Sequence, residues 1–253
     1  MVKPFCWYEL RTTDMKSAAT FYADVLHLRF REDGDSGVFL AGEEPVLGLS
    51  PLPEPARARG APPHWLGQIG TGEIESYVAR LVEQGAQTLG PVQRSADGPV
   101  FAALRDPFGV PLAVSARTHR PEQSPVSWHQ LHTTDFERSW SIYAELFGWS
   151  ALESVPGIPL GPHRLFVWEA GGPSIGIMAD TARHPGTHTH WLFFFRVPDL
   201  DAALERIRVR GGEVLTPVRL PNGDHLVACH DPQRGAFGLH MRVSAAACSP
   251  QKR

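Results

Sequence analysis

The chain has 253 residues, about twice the usual length of one domain, and is 42% hydrophobic and 20% charged, which excludes general disorder. With 24 basic against 27 acidic residues the formal charge is −3, which excludes a strong electrostatic footprint for nucleic acid or an anionic membrane. No apolar run reaches the ~18–20 residues of a membrane span. The opening Met-Val-Lys-Pro-Phe-Cys-Trp lacks the long apolar core of a signal peptide. Cys6, Cys229 and Cys248 are odd in number and widely spaced, so neither a disulfide framework nor a structural zinc site is expected. A reducing cytoplasm is the expected location.

The chain repeats itself. Cys6-Trp7-Tyr8-Glu9-Leu10-Arg11-Thr12-Thr13-Asp14 returns as Ser127-Trp128-His129-Gln130-Leu131-His132-Thr133-Thr134-Asp135, with Trp, Leu, Thr-Thr and Asp in register. After each Asp, a good N-cap, apolar residues recur at helical spacing, from Met15 to Leu28 and from Phe136 to Trp149. A second block follows. His64-Trp65-Leu66 matches His190-Trp191-Leu192. A helix then stops at Gly85 in one copy and at Gly211-Gly212 in the other. Asp106-Pro107-Phe108-Gly109 answers Asp231-Pro232-Gln233-Arg234. The Asp97-Gly98 and Asn222-Gly223-Asp224 turns precede the penultimate strand of each half. Four modules result, each a strand, a helix and about three short strands, at 4–52, 62–116, 126–180 and 188–243. The expected domains are 1–118 and 126–246, with a polar, Pro-bearing linker at 119–125, a Pro/Ala/Arg-rich link at 51–63 and a frayed tail at 247–253.

This order resembles the vicinal oxygen chelate superfamily, which includes glyoxalase I, bleomycin-resistance proteins and extradiol dioxygenases. The Trp-Tyr-Glu-Leu-x-Thr-x-Asp opening, the Phe21-Tyr22 pair, Leu146-Phe147-Gly148-Trp149, the Gly-Gly helix stop and the Asp-Pro-x-Gly turn carry it; Arg234 departs from the last Gly. The resemblance implies an α+β fold of two tandem domains, each a pair of βαβββ modules whose curled sheets enclose a cleft. It also implies metal-ligand positions on the first and last strand of each module. Here they fall on Trp7, Trp128, Leu66, Leu192, Gly48, Ala113, Gly176 and Gly238, none of which ligates through its side chain. A shift of one residue would reach His64, His129, His190 or His240 without completing a set. No metal and no other cofactor is therefore expected.

Small residues at the cleft floor, Gly48 and Gly176, against the indoles of Trp7 and Trp128 suit a flat or hydrophobic ligand; the alternative is large-against-small core packing. Glu9 and Gln130 share the Trp face by period-two alternation. A carboxylate in such a pocket is an acid–base candidate, unless a neighbouring Arg satisfies it. His64 and His190 match between halves and join the ligand-binding candidates, as does Phe194 from the Phe193-Phe194-Phe195 run. The His184, His188, His190 run could bind a transition metal but reads better as a solvated or substrate-contacting loop. Cys6 and Cys229 read as buried small apolar residues.

The function expected first is metal-independent binding of an aromatic or hydrophobic small molecule, as in drug sequestration or secondary metabolism. The alternatives are a metal-free isomerase, cyclase or lyase using Glu9 or a cleft His, and a metal-dependent lyase or dioxygenase. The expected partner is a small molecule, with neither nucleic acid nor membrane. Tandem domains can satisfy module pairing internally, so monomer and homodimer both stay open, as does which modules pair.

Overall fold

A computed structural model describes residues 2–95, 98–153, 158, 160–184 and 186–243. Asp97 of the expected turn, the tail 247–253 and Cys248 lie outside the described residues. The first half runs β1 (Phe5–Thr12), α1 (Met15–Leu26), β2 (Arg29–Asp33), β3 (Ser36–Ala41), β4 (Glu44–Pro51), α2 (Glu54–Ala58), β5 (His64–Gly70), α3 (Ile74–Glu83), β6 (Gln87–Thr88), β7 (Gln93–Ser95), β8 (Gly98–Arg105) and β9 (Pro111–Ser115). The second half runs β10 (Val126–His132), α4 (Phe136–Phe147), β11 (Ser150–Ala151), β12 (His163–Val167), β13 (Gly176–Ala179), a 3-10 turn (Asp180–Arg183), β14 (His190–Arg196), α5 (Leu200–Val209), β15 (Glu213–Val214), β16 (Val218–Arg219), β17 (His225–His230) and β18 (Ala236–Met241). No helix among the described residues is long and apolar enough to cross a membrane.

Each half forms one curled nine-stranded sheet, ordered β2-β3-β4-β1-β5-β9-β8-β6 with β7 on β8, and β11-β12-β13-β10-β14-β18-β17-β15 with β16 on β17. The opening strands of successive modules, β1 with β5 and β10 with β14, lie antiparallel at the sheet centre. Module one therefore pairs with module two, and module three with module four, which the repeats alone left open.

Asp14 and Asp135 cap their helices as expected, accepting from the Ser17 and Arg138 amides at 3.0 Å. The helices end two residues earlier than the apolar spacing suggested, because the chain turns left-handed at His27 (φ 53°) and Gly148 (φ 73°). Glycine adopts that conformation freely and histidine does so at a cost. His27→Gly is expected to stabilise the fold by ~0.5–1 kcal/mol, about 2 °C in melting temperature by calorimetry. The 51–63 link contains the short α2, favoured by Pro55 in its first turn and an Arg57–Glu54 ion pair at 2.8 Å.

One face of each sheet, with its helices, joins a shared aromatic core. Phe5 stacks on His129 at 5.4 Å, Trp149 on Phe166 at 5.2 Å and Tyr77 on Phe147 at 5.8 Å. The repeated motifs explain how the halves interlock. Tyr22 of α1 donates to Asp231 at 3.0 Å and accepts from the Trp65 indole at 3.2 Å. Tyr143 of α4 donates to Asp106 at 3.2 Å and accepts from Trp191 at 3.1 Å. Each helix thus reaches the Asp-Pro turn of the other half. Burial raises both carboxyls, Asp106 to about 6. At Gly67 the halves approach closely: a Cβ there would lie 2.5 Å from the Phe193 ring.

Candidate functional site

The opposite face of the second sheet carries the site. Alternation along β10 sends Trp128, Gln130 and His132 to this face and turns His129 and Leu131 toward the shared core, while a register irregularity between Val126 and Trp128 puts Val126 in the core as well. Leu192 and Phe194 join from β14, Ile177 from β13 and Leu226 from β17, closing a cavity of about 340 Å³. The size falls at the lower end of the range for small-molecule pockets. A separate groove of about 690 Å³ runs between α1 and α5. It is lined by charged side chains, including the Arg210–Asp24 ion pair, and lies away from this face.

Four polar side chains line the cavity, Thr216 and three from β10. Trp128 is 4% exposed, and its indole N–H has no hydrogen-bond partner. Gln130 is buried and makes no side-chain hydrogen bond among the described residues. His132 places its Nδ1 2.6 Å from the Thr181 hydroxyl, and its ring stacks on His190 at 4.6 Å. Burial, with His190 beside it, pushes His132 down to about 3. His190 is also lowered by burial, and its Nδ1 donates to the His188 carbonyl at 2.8 Å. Both imidazoles are therefore neutral at pH 7. Sequence reasoning singled out His190 and passed over His132, although the alternation that joined Trp128 to Gln130 continues to it. His188 precedes the strand rather than sharing its face with His190.

The equivalent face of the first sheet is occupied by its own side chains. Glu9 forms a 2.8 Å ion pair with Arg11, without hydrogen-bond alignment at the Arg11 Nε–H, and accepts from Ser50 at 2.6 Å and Gln68 at 3.5 Å. The Arg117 guanidinium sits 4.3 Å from the Trp7 ring centre. A Cβ on Gly48 would lie 3.0 Å from Trp7 Nε1 and Glu9 Cγ, so the room expected beside Gly48 is taken by these two side chains. His64 pairs across the strands with Arg11, as His190 does with His132. Its Nδ1 donates to the Pro62 carbonyl at 2.9 Å, and burial lowers its pKa.

Gly176 differs from expectation. It pairs with His129, and a Cβ there would meet the His129 carbonyl and, at 2.6 Å, the Phe166 ring. It faces the shared core; its neighbour Ile177 lies opposite Gln130 and takes the cavity position that Gly48 holds opposite Glu9. A one-residue register difference moves a side chain to the other face. His129 likewise lies between the halves, accepting from the Tyr8 hydroxyl at 2.6 Å and donating to the Ile175 carbonyl at 2.8 Å. Burial pushes it down to about 3. His240 lies behind Trp128, edge-on at 6.2 Å, with Ser127 on Nδ1 at 2.8 Å and Asp224 on Nε2 at 3.2 Å. Burial opposes ionisation of Asp224, but hydrogen bonds from the Val243 amide, His240 and Asn222 outweigh it and hold the carboxyl low. The three residues pin the 220–224 turn to β18 and do not line the cavity. Burial pushes the Cys6 and Cys229 thiols up to about 12, consistent with packing rather than nucleophilic roles.

The residues present do not fit a metal of the family kind. Trp128, Leu192 and Gly238 stand at the second-half positions, and an indole N–H is a donor without a lone pair to give. No group of three or more His, Cys, Asp or Glu among the described residues could hold a metal ion.

The Glyoxalase/Bleomycin resistance protein/Dioxygenase superfamily model matches residues 5–114 and again 126–236. The chain is 26% identical over 249 residues to "Putative glyoxylase CFP32" of Mycobacterium tuberculosis (strain CDC 1551 / Oshkosh), covering 92% of each chain. It is 30% identical over 128 residues to the anthracycline biosynthesis protein DnrV of Streptomyces peucetius, covering 45% of each. Among solved structures, a variant of homoprotocatechuate 2,3-dioxygenase from B. fuscum matches with a TM-score of 0.66 at 18% identity, over 96% of this chain and 72% of that one. The Mn(II)-bound glyoxalase from Novosphingobium aromaticivorans matches at 0.64 and 15%, over 96% and 83%. With the model matched once in each half around the same sheet topology, the chain belongs to the glyoxalase/bleomycin resistance protein/dioxygenase superfamily as a two-domain, four-module member.

Proposed function

We propose that the protein binds a small, flat, largely apolar organic molecule against Trp128 in the second sheet, without a resident metal ion. The carrying observation is a cavity of about 340 Å³ whose buried Trp128 leaves its N–H unpartnered. A buried donor without a partner costs ~1–3 kcal/mol, which a ligand acceptor can recover. The name of DnrV, which is similar over 45% of each chain, supports a ligand drawn from secondary metabolism. The metal-dependent lyase or dioxygenase reading draws support from the superfamily match, from the name of the relative "Putative glyoxylase CFP32" and from the dioxygenase and glyoxalase that share the fold, but the donor set among the described residues does not favour it.

One observation favours a second reading, a metal-free isomerase, cyclase or lyase. His132 lines the cavity with its Nδ1 already engaged, which leaves Nε2 for a substrate. The acid–base role then rests on His132 rather than on Glu9, which Arg11, Ser50 and Gln68 hold.

Calorimetric titration with anthraquinone tests the binding reading. Trp128→Ala is expected to weaken binding about 10–100-fold, the range of an aromatic hot spot, while Trp7→Ala leaves it near wild type. Exhaustive dialysis against a chelator is expected to change nothing. Loss of binding on dialysis, or a folded Trp128→Ala variant that binds like wild type, would end this reading.

A further inference from the structure

Three of the cavity's polar groups have an order along β10. Trp128 can only donate, and its N–H is buried and free. Thr181 Oγ1 engages His132 Nδ1 at 2.6 Å, which leaves Nε2 to pair with a ligand, as acceptor or donor according to the tautomer. Gln130, between them, offers both senses. The other side chains lining the cavity are apolar except Thr216, and no charged side chain lines it among the described residues. A charged ligand would lose its hydration there without a counter-charge.

The spacing fixes the length. Alternate residues of a strand lie ~6.8 Å apart, so Trp128 and His132 are about 13 Å apart along β10 with Gln130 midway. A single ring cannot reach both ends. Leu192, Phe194 and Ile177 supply apolar surface along that length.

Resting on the binding reading above, we infer that the ligand is a neutral fused polycyclic molecule, with a carbonyl or ether oxygen at the Trp128 end and a hydroxyl at the His132 end. Trp128 and His132 then determine specificity: one donates to the oxygen, and the other pairs through Nε2 with the hydroxyl, which can both donate and accept. The Arg11 and His64 pair of the first half does not copy this arrangement, because Arg11 is a cation ion-paired with Glu9.

The test uses three probes of similar shape: hydroxyanthraquinone, anthraquinone carboxylate and anthracene, titrated calorimetrically into the full chain. Hydroxyanthraquinone is expected to bind about 10-fold or more tighter than either of the others, as two recovered hydrogen bonds and an uncharged ring system require. Trp128→Phe keeps a ring and removes the donor; it is expected to cost about 10-fold for hydroxyanthraquinone and nothing for anthracene. His132→Leu is expected to act in the same way, and near-ultraviolet circular dichroism checks that both variants keep the wild-type fold. Anthracene binding as tightly as hydroxyanthraquinone, or the carboxylate binding tightest, overturns the polar pattern while leaving the binding reading intact. Failure of all three probes to bind overturns both.

Discussion

Phe193→Ala is expected to lower the melting temperature by on the order of 10 °C. Phe193 belongs to β14 of the second half, is 1% exposed, and packs edge-on to Phe5 at 5.4 Å and Tyr8 at 4.9 Å in the first half. It also fills the space that Gly67 leaves by lacking a Cβ. Truncating a buried phenylalanine costs ~3–5 kcal/mol, because the transfer energy is lost and a cavity remains where packed neighbours cannot collapse. In a chain of this size each kcal/mol moves the midpoint by ~2–4 °C. Scanning calorimetry of the variant checks this. A shift below ~2 °C would mean that the seam between the halves is not packed in solution.

Acid is expected to destabilise the protein well above the range in which ordinary carboxylates protonate. His129 and His132 are each pushed from 6.5 to about 3 by burial. Between those values the unfolded chain holds a proton on each imidazole that the folded chain lacks. Their stabilisation is therefore complete above pH ~6.5 and is lost as pH falls toward ~3. Asp106 acts in the opposite direction. Its carboxyl rises from 3.8 to about 6, so its contribution is complete below 3.8 and is lost as pH rises through ~6. Two imidazoles outweigh one carboxyl. The lowered His64, His190 and His240 add to the imidazole side. The raised Asp231 and lowered Asp224 oppose each other. Each net proton is worth about 1.4 kcal/mol per pH unit, so several kcal/mol are expected to disappear between pH ~6.5 and ~4. Urea unfolding at pH ~7, ~5.5 and ~4.5 measures the slope, and His132→Phe should flatten it by about one proton. Stability that is level or rising on acidification would contradict the buried, neutral placement of these histidines.

The repeat is legible in the sequence because local chemistry writes it. Asp14 and Asp135 cap helices wherever an amphipathic run follows, and the apolar spacing of Phe21-Tyr22 and Tyr143 shows which helix face is buried. Alternation likewise placed Trp128 and Gln130 on one side of β10 and makes Phe194 face away from Phe193 and Phe195. These properties belong to a few consecutive residues, so the sequence determined the modules, the family and the face of the second-half site. What joins distant residues required the tertiary structure. The face of Gly176 depends on how β13 registers against β10, and a shift of one residue reverses it. Glu9 reads as a free carboxylate until Ser50 and Gln68 arrive from β4 and β5. The two Trp-bearing clefts look equivalent in sequence. Arg117 covers Trp7 while the Trp128 N–H stays unpartnered, because side chains far along the chain from each opening strand decide what fills each concave face.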